Sequence, residues 1–160
     1  MKIIVYTSNA GSTERYAKML SEKTGIPAFE LSNAESTDNE VIYFGWVMAG
    51  DIQGLSQARE KFGNIKAVVA VGMMPSEKSK EEAKGKNKIT EEFFYLPGEF
   101  NIKKLKGMYK MMMNMMLRMM KSKVKESDDP NDQKALELFE KGFDGVKEEN
   151  LEKLIEFIEA

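Results

Sequence analysis

The sequence of 160 residues contains no cysteine and no histidine. Without cysteine the chain has no disulfide bond, no thiolate-held iron–sulfur cluster and no thiol nucleophile, which is typical of proteins from a reducing compartment. Without histidine it lacks the most common general base and zinc ligand, and every Ser-His-Asp arrangement is excluded. We therefore predict no metal site and identify no catalytic side chain. We expect any redox or group-transfer chemistry to come from a bound cofactor.

Long apolar runs are also missing from the sequence. No stretch reaches the roughly 18 consecutive apolar residues of a membrane-spanning helix. The first residues form a strand pattern instead of the apolar core of a signal peptide, so we expect a cytoplasmic protein. Apolar residues make up 42% of the chain and charged residues 31%. This composition is typical of a globular domain, and the chain is long enough to bury a full core.

Charges of opposite sign are segregated along the chain, although the net charge is only −2. Residues 103–125 carry eight basic and no acidic side chains, whereas residues 126–160 carry four basic and twelve acidic ones. Segregation of this kind indicates docking surfaces rather than a particular fold. Because the basic segment is short and the protein is acidic as a whole, we expect no nucleic acid among its partners.

Short apolar segments alternate with helical patterns along the chain. We predict strands at residues 2–6, 26–31, 41–44, 65–71 and 93–96. Helices are predicted at residues 13–22, 52–62, 76–87, 102–123, 132–141 and 147–158. Gly45 and Gly72 are expected to end the third and fourth strands. The alternation predicts an α/β fold in which a parallel sheet lies between two layers of helices.

In such sheets a ligand binds beyond the carboxyl ends of the strands, where the strand order reverses. This rule selects three loops, at residues 7–13, 45–51 and 72–76. The first loop joins a strand to a helix through small and hydroxyl-bearing residues, so its amides and the helix dipole favour an anion such as phosphate. The same residues are common in a simple capped turn, which needs no ligand. The candidate phosphate-binding residues are Thr7, Ser8, Asn9, Ala10, Gly11, Ser12 and Thr13.

The other two loops offer an aromatic side chain and a soft apolar surface. Trp46, the only tryptophan, follows the third strand and is expected either to cover a flat ring or to pack beneath the next helix. Gly72, Met73 and Met74 follow the fourth strand and suit the edge of a ring, although an ordinary strand end has the same pattern. The candidate binding residues of the second loop are Trp46, Val47, Met48, Ala49 and Gly50.

The order of strand, hydroxyl-rich loop, helix and aromatic-bearing later loop resembles the flavodoxin family. The phosphate loop of that family follows the pattern Ser/Thr-x-Thr-Gly-x-Thr. Ser8, Gly11 and Thr13 match this pattern, while Ala10 replaces the middle threonine. The resemblance covers residues 1–98 and the closing helix near the C-terminus. It implies a three-layer sandwich whose five parallel strands lie in the order 2-1-3-4-5, and an FMN held non-covalently by the three loops.

The segment after the fifth strand resembles one particular family among flavodoxin-like proteins. Residues 107–121 are basic and rich in methionine, and they resemble the helical insert of the oxygen-independent protoporphyrinogen dehydrogenase family. This resemblance implies an FMN-dependent oxidoreductase that oxidises a porphyrinogen-like substrate and passes electrons to a quinone. The alternative is a flavodoxin-type electron shuttle that docks on a redox partner protein. In both cases we expect one flavodoxin-like domain, residues 1–160, with residues 99–130 as an insert.

On a helical wheel, six of the eight cations of residues 103–125 share one arc and most of the methionines lie opposite. The apolar arc is about 200° wide at 100° per residue, whereas a core-facing helix needs roughly 100°. A helix of this kind fits three roles: a soft docking surface for a flat apolar partner, peripheral contact with the inner face of a membrane, or packing against a second copy in a homodimer. The sequence leaves these three roles open.

Overall fold

The structure, a computed structural model, describes residues 1–73, 75–105 and 107–160. Its strands are β1 (Lys2–Thr7), β2 (Ala28–Glu30), β3 (Glu40–Met48), β4 (Asp51–Ile52), β5 (Ile65–Gly72), β6 (Glu92–Pro97), β7 (Glu99–Phe100) and β8 (Phe143–Asp144). Its α-helices are α1 (Ser12–Thr24), α2 (Leu55–Lys61), α3 (Glu77–Lys86), α4 (Gly107–Glu126), α5 (Pro130–Lys141) and α6 (Glu152–Glu159). The chain forms two compact units, the first of Met1–Gly98 with Val146–Ala160 and the second of Glu99–Gly145.

The first unit contains a parallel sheet with the strand order β2–β1–β3–β5–β6. Each neighbouring pair on this path is parallel, and β4 is a short antiparallel addition to β3. Counted over the parallel strands alone, this is the order 2-1-3-4-5, so the predicted fold class is confirmed. The order reverses between β1 and β3, which places the switch point of the sheet at the carboxyl ends of these two strands.

Side chains of the central strands alternate between two buried layers, because successive residues of a strand point to opposite faces. Ile4 and Val69 pack with residues of α1 and α6. Val5 and Val68 pack with residues of α2 and α3 on the other face. Both faces of the sheet are therefore covered, which explains why these strands are almost continuously apolar in sequence.

Of the two glycines that were expected to end strands, one lies inside its strand and the other ends it. A side chain on Gly45 would place its Cβ 2.6 Å from Ile52 Cγ2 and 2.7 Å from the carbonyl oxygen of Gln53. Gly72 is the last residue of β5, and the ring of Tyr95 fills the space that its Cβ would take. Neighbouring groups pack directly on the backbone at both positions. The third strand continues through Gly45 to Met48, so the expectation for Gly45 is wrong, whereas the expectation for Gly72 is confirmed.

The helix predicted at residues 52–62 begins later than expected. Ile52 belongs to β4, and Gly54, with a φ of 78° in the left-handed region, precedes the first turn of α2. The chain thus forms a β-hairpin before it enters the helix, which local sequence patterns did not indicate. None of the described helices is both long and apolar enough to cross a membrane.

The second unit has a small core of its own. β7 and β8 form an antiparallel pair that the sequence analysis did not predict. The ring of Phe100 lies 5.3 Å from that of Phe139 and 5.9 Å from that of Phe143, measured between centroids. Helix α4 packs against α5, and its Met113 and Leu117 are buried. The methionine-rich helix is therefore part of a packed unit that includes α5 and β8.

Candidate functional site

The loop between β1 and α1 lies at the switch point of the sheet. It ends at Gly11, whose φ of 98° is in the left-handed region, and α1 begins at the next residue. A Cβ on Gly11 would meet no atom within 4 Å. The Oγ of Ser8 accepts a hydrogen bond of 3.4 Å from the amide of Glu14 in the first turn of α1. The loop therefore folds back on the N-terminus of the helix and leaves space beside Gly11.

The donors of this loop fit a single phosphate group. The amides of Asn9, Ala10 and Gly11 make no hydrogen bond within the described part of the chain. Thr13, in the first turn of α1, is 1% exposed, and its hydroxyl makes no hydrogen bond to another described residue. Together with the positive end of the α1 dipole, these groups form a donor set for a small anion.

Glu14 adds a negative charge to the same turn of α1. Its carboxylate forms an ion pair of 2.8 Å with Lys18, and the hydrogen bond from Lys18 lowers the pKa of Glu14. The hydroxyl of Tyr6 also donates a hydrogen bond of 3.4 Å to this carboxylate. Because Lys18 partly offsets the charge of Glu14, the first turn of α1 remains compatible with an anion at the loop.

A buried tyrosine of β3 joins the carboxyl end of β1 to the segment that precedes α2. The Tyr43 hydroxyl is hydrogen-bonded to Thr7 Oγ1 at 2.8 Å and to the carbonyl oxygen of Gln53 at 2.7 Å. A side chain on Gly54 would collide with the hydroxyls of both Tyr43 and Thr7. Burial raises the pKa of Tyr43 to about 12, against the opposing effect of the Thr7 hydrogen bond. The network holds the segment between β4 and α2 against the end of β1.

Trp46 is half-buried beside this network. It lines a cleft of about 540 Å³, whose other walls include Thr7, Leu31, Gln53 and Lys61. These residues come from the ends of β1 and β2 and from the region of α2. The side chain of Trp46 is thus neither on the open surface nor fully packed in the core, and it forms part of the cleft wall.

The residues that follow Trp46 form a hairpin rather than an open loop. Ala49 and Gly50 have φ values of 51° and 84°, the left-handed conformations of a two-residue hairpin turn. The carbonyl oxygen of Ala49 accepts a hydrogen bond of 2.8 Å from Lys86 Nζ, and that of Gly50 accepts one of 2.8 Å from Asn87 Nδ2. The hairpin turn is therefore held by the C-terminal end of α3.

The ends of β5 and β6 approach the start of α1. The amide of Gly98 donates a hydrogen bond of 2.8 Å to the carbonyl oxygen of Gly72. A Cβ on Gly98 would lie 3.2 Å from Val71 Cγ1 and 3.5 Å from Ser12 Oγ. Gly98 therefore lies close to the end of β5 and near Ser12, the first residue of α1.

Two neighbouring groups at the carboxyl edge of the sheet contain predicted site residues. Ser12 and Gly72 lie near each other together with Gly98. Thr7 and Trp46 line one cleft together with Gly54. The other predicted residues lie nearby in the chain: Ser8, Asn9, Ala10 and Gly11 in the first loop, Thr13 in α1, Val47, Met48, Ala49 and Gly50 in the hairpin, and Met73 directly after β5. Met74 lies outside the described residues.

Three residues of this edge were missed by the sequence analysis: Tyr43, Gly54 and Gly98. The pattern of β3 indicates a buried strand, and a tyrosine inside such a strand signals that its hydroxyl needs a polar partner. The sequence therefore indicated that the Tyr43 hydroxyl needs a hydrogen-bond partner, but it did not indicate which residues provide it. Gly98 follows Pro97 and has the pattern of an ordinary turn, so nothing local indicates its contact with Gly72.

A comparison with known protein families agrees with this geometry. A family model described as a flavodoxin domain matches residues 3–128 of the chain. The matched range includes the parallel sheet, the loop at residues 8–11 and the methionine-rich helix α4. No curated protein matches the chain.

The pKa of Tyr43 predicts a specific loss of stability at alkaline pH. The folded protein favours the neutral phenol of Tyr43. The resulting contribution to the unfolding free energy is fully present below about pH 10 and is lost as the pH rises towards 12. Between pH 9 and pH 11, we expect the native chain to lose about 1 kcal/mol more of its unfolding free energy than Tyr43→Phe. Urea unfolding at the two pH values measures this difference. Equal losses in both proteins would show that Tyr43 titrates normally.

Proposed function

Since the chain belongs to the flavodoxin-domain family, we propose that it is an FMN-binding redox protein whose loop at residues 8–13 holds the flavin phosphate. The observation that carries this proposal is the free donor set beside Gly11. The amides of Asn9, Ala10 and Gly11 and the hydroxyl of Thr13 make no hydrogen bond within the described part of the chain, and the space next to Gly11 is open. A phosphate would satisfy these donors at the positive end of α1.

FMN fits this site better than a dinucleotide does. The loop provides donors for one phosphate, and the sequence contains no G-x-G-x-x-G motif for a pyrophosphate. The departure at Ala10 removes one hydroxyl from the pattern of the flavodoxin phosphate loop but leaves the backbone amides in place. Recognition would therefore rest mainly on the backbone and on Thr13, which suits a single terminal phosphate.

FMN supplies one-electron and two-electron redox chemistry when it is bound. In this proposal the side chains of the chain do not react; they bind and orient the flavin. Trp46 would contact the ring and shield it from water, and Gly72 and Met73 would lie along its edge. Without histidine or cysteine, the protein would control the ring through packing and backbone hydrogen bonds rather than through a titrating side chain at neutral pH.

The substrate that we propose is a porphyrinogen-like ring system, with a quinone as the electron acceptor. The support is the resemblance of residues 107–121 to the insert of the protoporphyrinogen dehydrogenase family. In the overall reaction the porphyrinogen would lose hydrogen, and each quinone would take up two electrons and two protons to become a quinol. An electron shuttle that docks on a protein partner is the alternative, because the same flavin site would serve it.

Replacing Thr13 by valine tests the phosphate site, since valine keeps the shape and removes the hydroxyl. We expect Thr13→Val to weaken FMN binding about 2-fold to 12-fold, as the loss of one hydrogen bond of roughly 0.5–1.5 kcal/mol predicts. Riboflavin, which lacks the phosphate, should bind equally to both proteins in a fluorescence titration. Thr90→Val, at an exposed position, is the matched control. Equal losses for FMN and riboflavin would contradict the proposed placement of the phosphate.

Trp46→Ala tests the contact with the ring. A stacked indole quenches flavin emission, so we expect flavin bound to this variant to be brighter than flavin bound to the native chain. Phe29→Ala, which removes an aromatic side chain that is 42% exposed on β2, should leave the emission unchanged. If the emission of bound flavin is equally low in Trp46→Ala, the indole does not touch the ring.

Steady-state turnover separates the enzyme from the shuttle. We expect the FMN-loaded chain to oxidise a porphyrinogen with a soluble quinone analogue as acceptor, and to do so over many turnovers. Free FMN at the same concentration provides the background rate. A loaded protein that exchanges electrons with protein partners but turns over no small substrate would favour the shuttle, even though its FMN site would be unchanged.

A further inference from the structure

Five methionines on one side of α4 are exposed. Met108, Met111, Met112, Met115 and Met119 are between 53% and 76% exposed. At 3.6 residues per turn, these five positions fall within an arc of about 100°. We call this arc the outer face of α4. Large apolar side chains are seldom concentrated in this way on a surface that meets only water.

The opposite side of the same helix is packed. Met113 and Leu117 are buried, and Met116, Met120 and Val124, on the same side, are partly buried. Helix α4 packs against α5 in the second unit. The wide apolar arc of the sequence therefore divides into an inner half that has partners within the unit and an outer half that faces away from them.

Exposed cations border the outer face on both sides. On the helical wheel, Arg118 and Lys125 lie next to one edge of the methionine arc and Lys123 lies next to the other. All three side chains are exposed and make no ion pair with another described residue. In contrast, Lys121 lies farther from the arc and pairs with Glu140 of α5 at 3.4 Å. The outer face is thus an apolar strip with unpaired positive charges along its borders.

The charge of this face argues against a second copy of the chain as its occupant. A symmetric dimer through α4 would bring together two helices that each carry five cations and a single anion, Glu126. Like charges at that distance oppose association. The partner that binds the outer face of α4 should instead be anionic. It should also be soft enough to pack against flexible, unbranched apolar side chains.

We infer that the outer face of α4 docks peripherally on an anionic lipid surface. The methionines would enter the boundary between headgroups and acyl chains, while Arg118, Lys123 and Lys125 would remain at the level of the phosphates. An acidic protein surface would match the charge but gain little specificity, because the five methionines offer it no strong hydrogen-bond donor or acceptor. The inference does not depend on the flavin site, so each proposal can fail without the other.

Vesicle flotation with the full chain tests this inference. We expect binding to vesicles of phosphatidylcholine that contain about one third phosphatidylglycerol, and much less binding to phosphatidylcholine alone. Binding should weaken as salt screens the charges. Reversing two cations in Arg118→Glu/Lys125→Glu should weaken partitioning at least about 30-fold, the equivalent of about 1 kcal/mol for each lost cation. The variant Met111→Gln/Met115→Gln replaces two apolar side chains without changing the net charge. It should also weaken partitioning onto anionic vesicles.

The matched control is Lys78→Glu/Lys84→Glu on α3, which makes the same change in net charge at two exposed positions. This variant should keep most of the binding to anionic vesicles. The inference is overturned if the native chain ignores anionic vesicles at low salt or binds neutral ones equally well. It is also overturned if the α3 control loses as much binding as the α4 variant, or if Met111→Gln/Met115→Gln converts a dimer into a monomer without affecting vesicle binding.

Discussion

The hydroxyl of Tyr43 is the group on which the carboxyl edge of the sheet depends. It is buried, and its two hydrogen bonds connect β1 through Thr7 with the segment that precedes α2 through Gln53. A buried hydroxyl without partners is costly, so the chain must bring these two groups to it. Gly54 makes this possible, because any side chain there would displace the hydroxyls. The place at which the chain enters α2, directly after Gly54, follows from this contact.

The same edge is built largely from backbone. The amide of Gly98 bonds to the carbonyl oxygen of Gly72, and Gly98 lies close to Val71 and near Ser12 at the start of α1. The loop at residues 8–11 likewise presents amides rather than charged side chains. A chain without histidine and cysteine has few side chains for catalysis at neutral pH, but backbone donors are available to any sequence. A cofactor site of this kind is therefore compatible with the composition.

The sequence was sufficient to predict features that depend on local pattern. Alternation of apolar strands with helices gave the fold class, and the strand-to-helix loop at residues 8–11 lies where the pattern placed it. Features that depend on distant neighbours were not predictable. Gly45 has the pattern of a strand end, but it is glycine because Ile52 packs on it. The pairing of β7 with β8 joins residues more than forty positions apart, and nothing near either strand identifies its partner.

Helix α4 shows a related limit. Its sequence indicates an apolar arc too wide for one packed face, but it does not indicate which half is covered, because that depends on how α5 returns along it. Methionine suits both halves, since a flexible thioether fills an irregular core and also conforms to a soft surface. Shape therefore distinguishes the two faces poorly. Charge distinguishes them better: Lys121 pairs with Glu140 of α5, whereas Arg118 and Lys125 stay exposed beside the outer methionines. The positions of the cations, rather than those of the apolar residues, therefore indicate which face of the helix is covered by α5 and which faces outward.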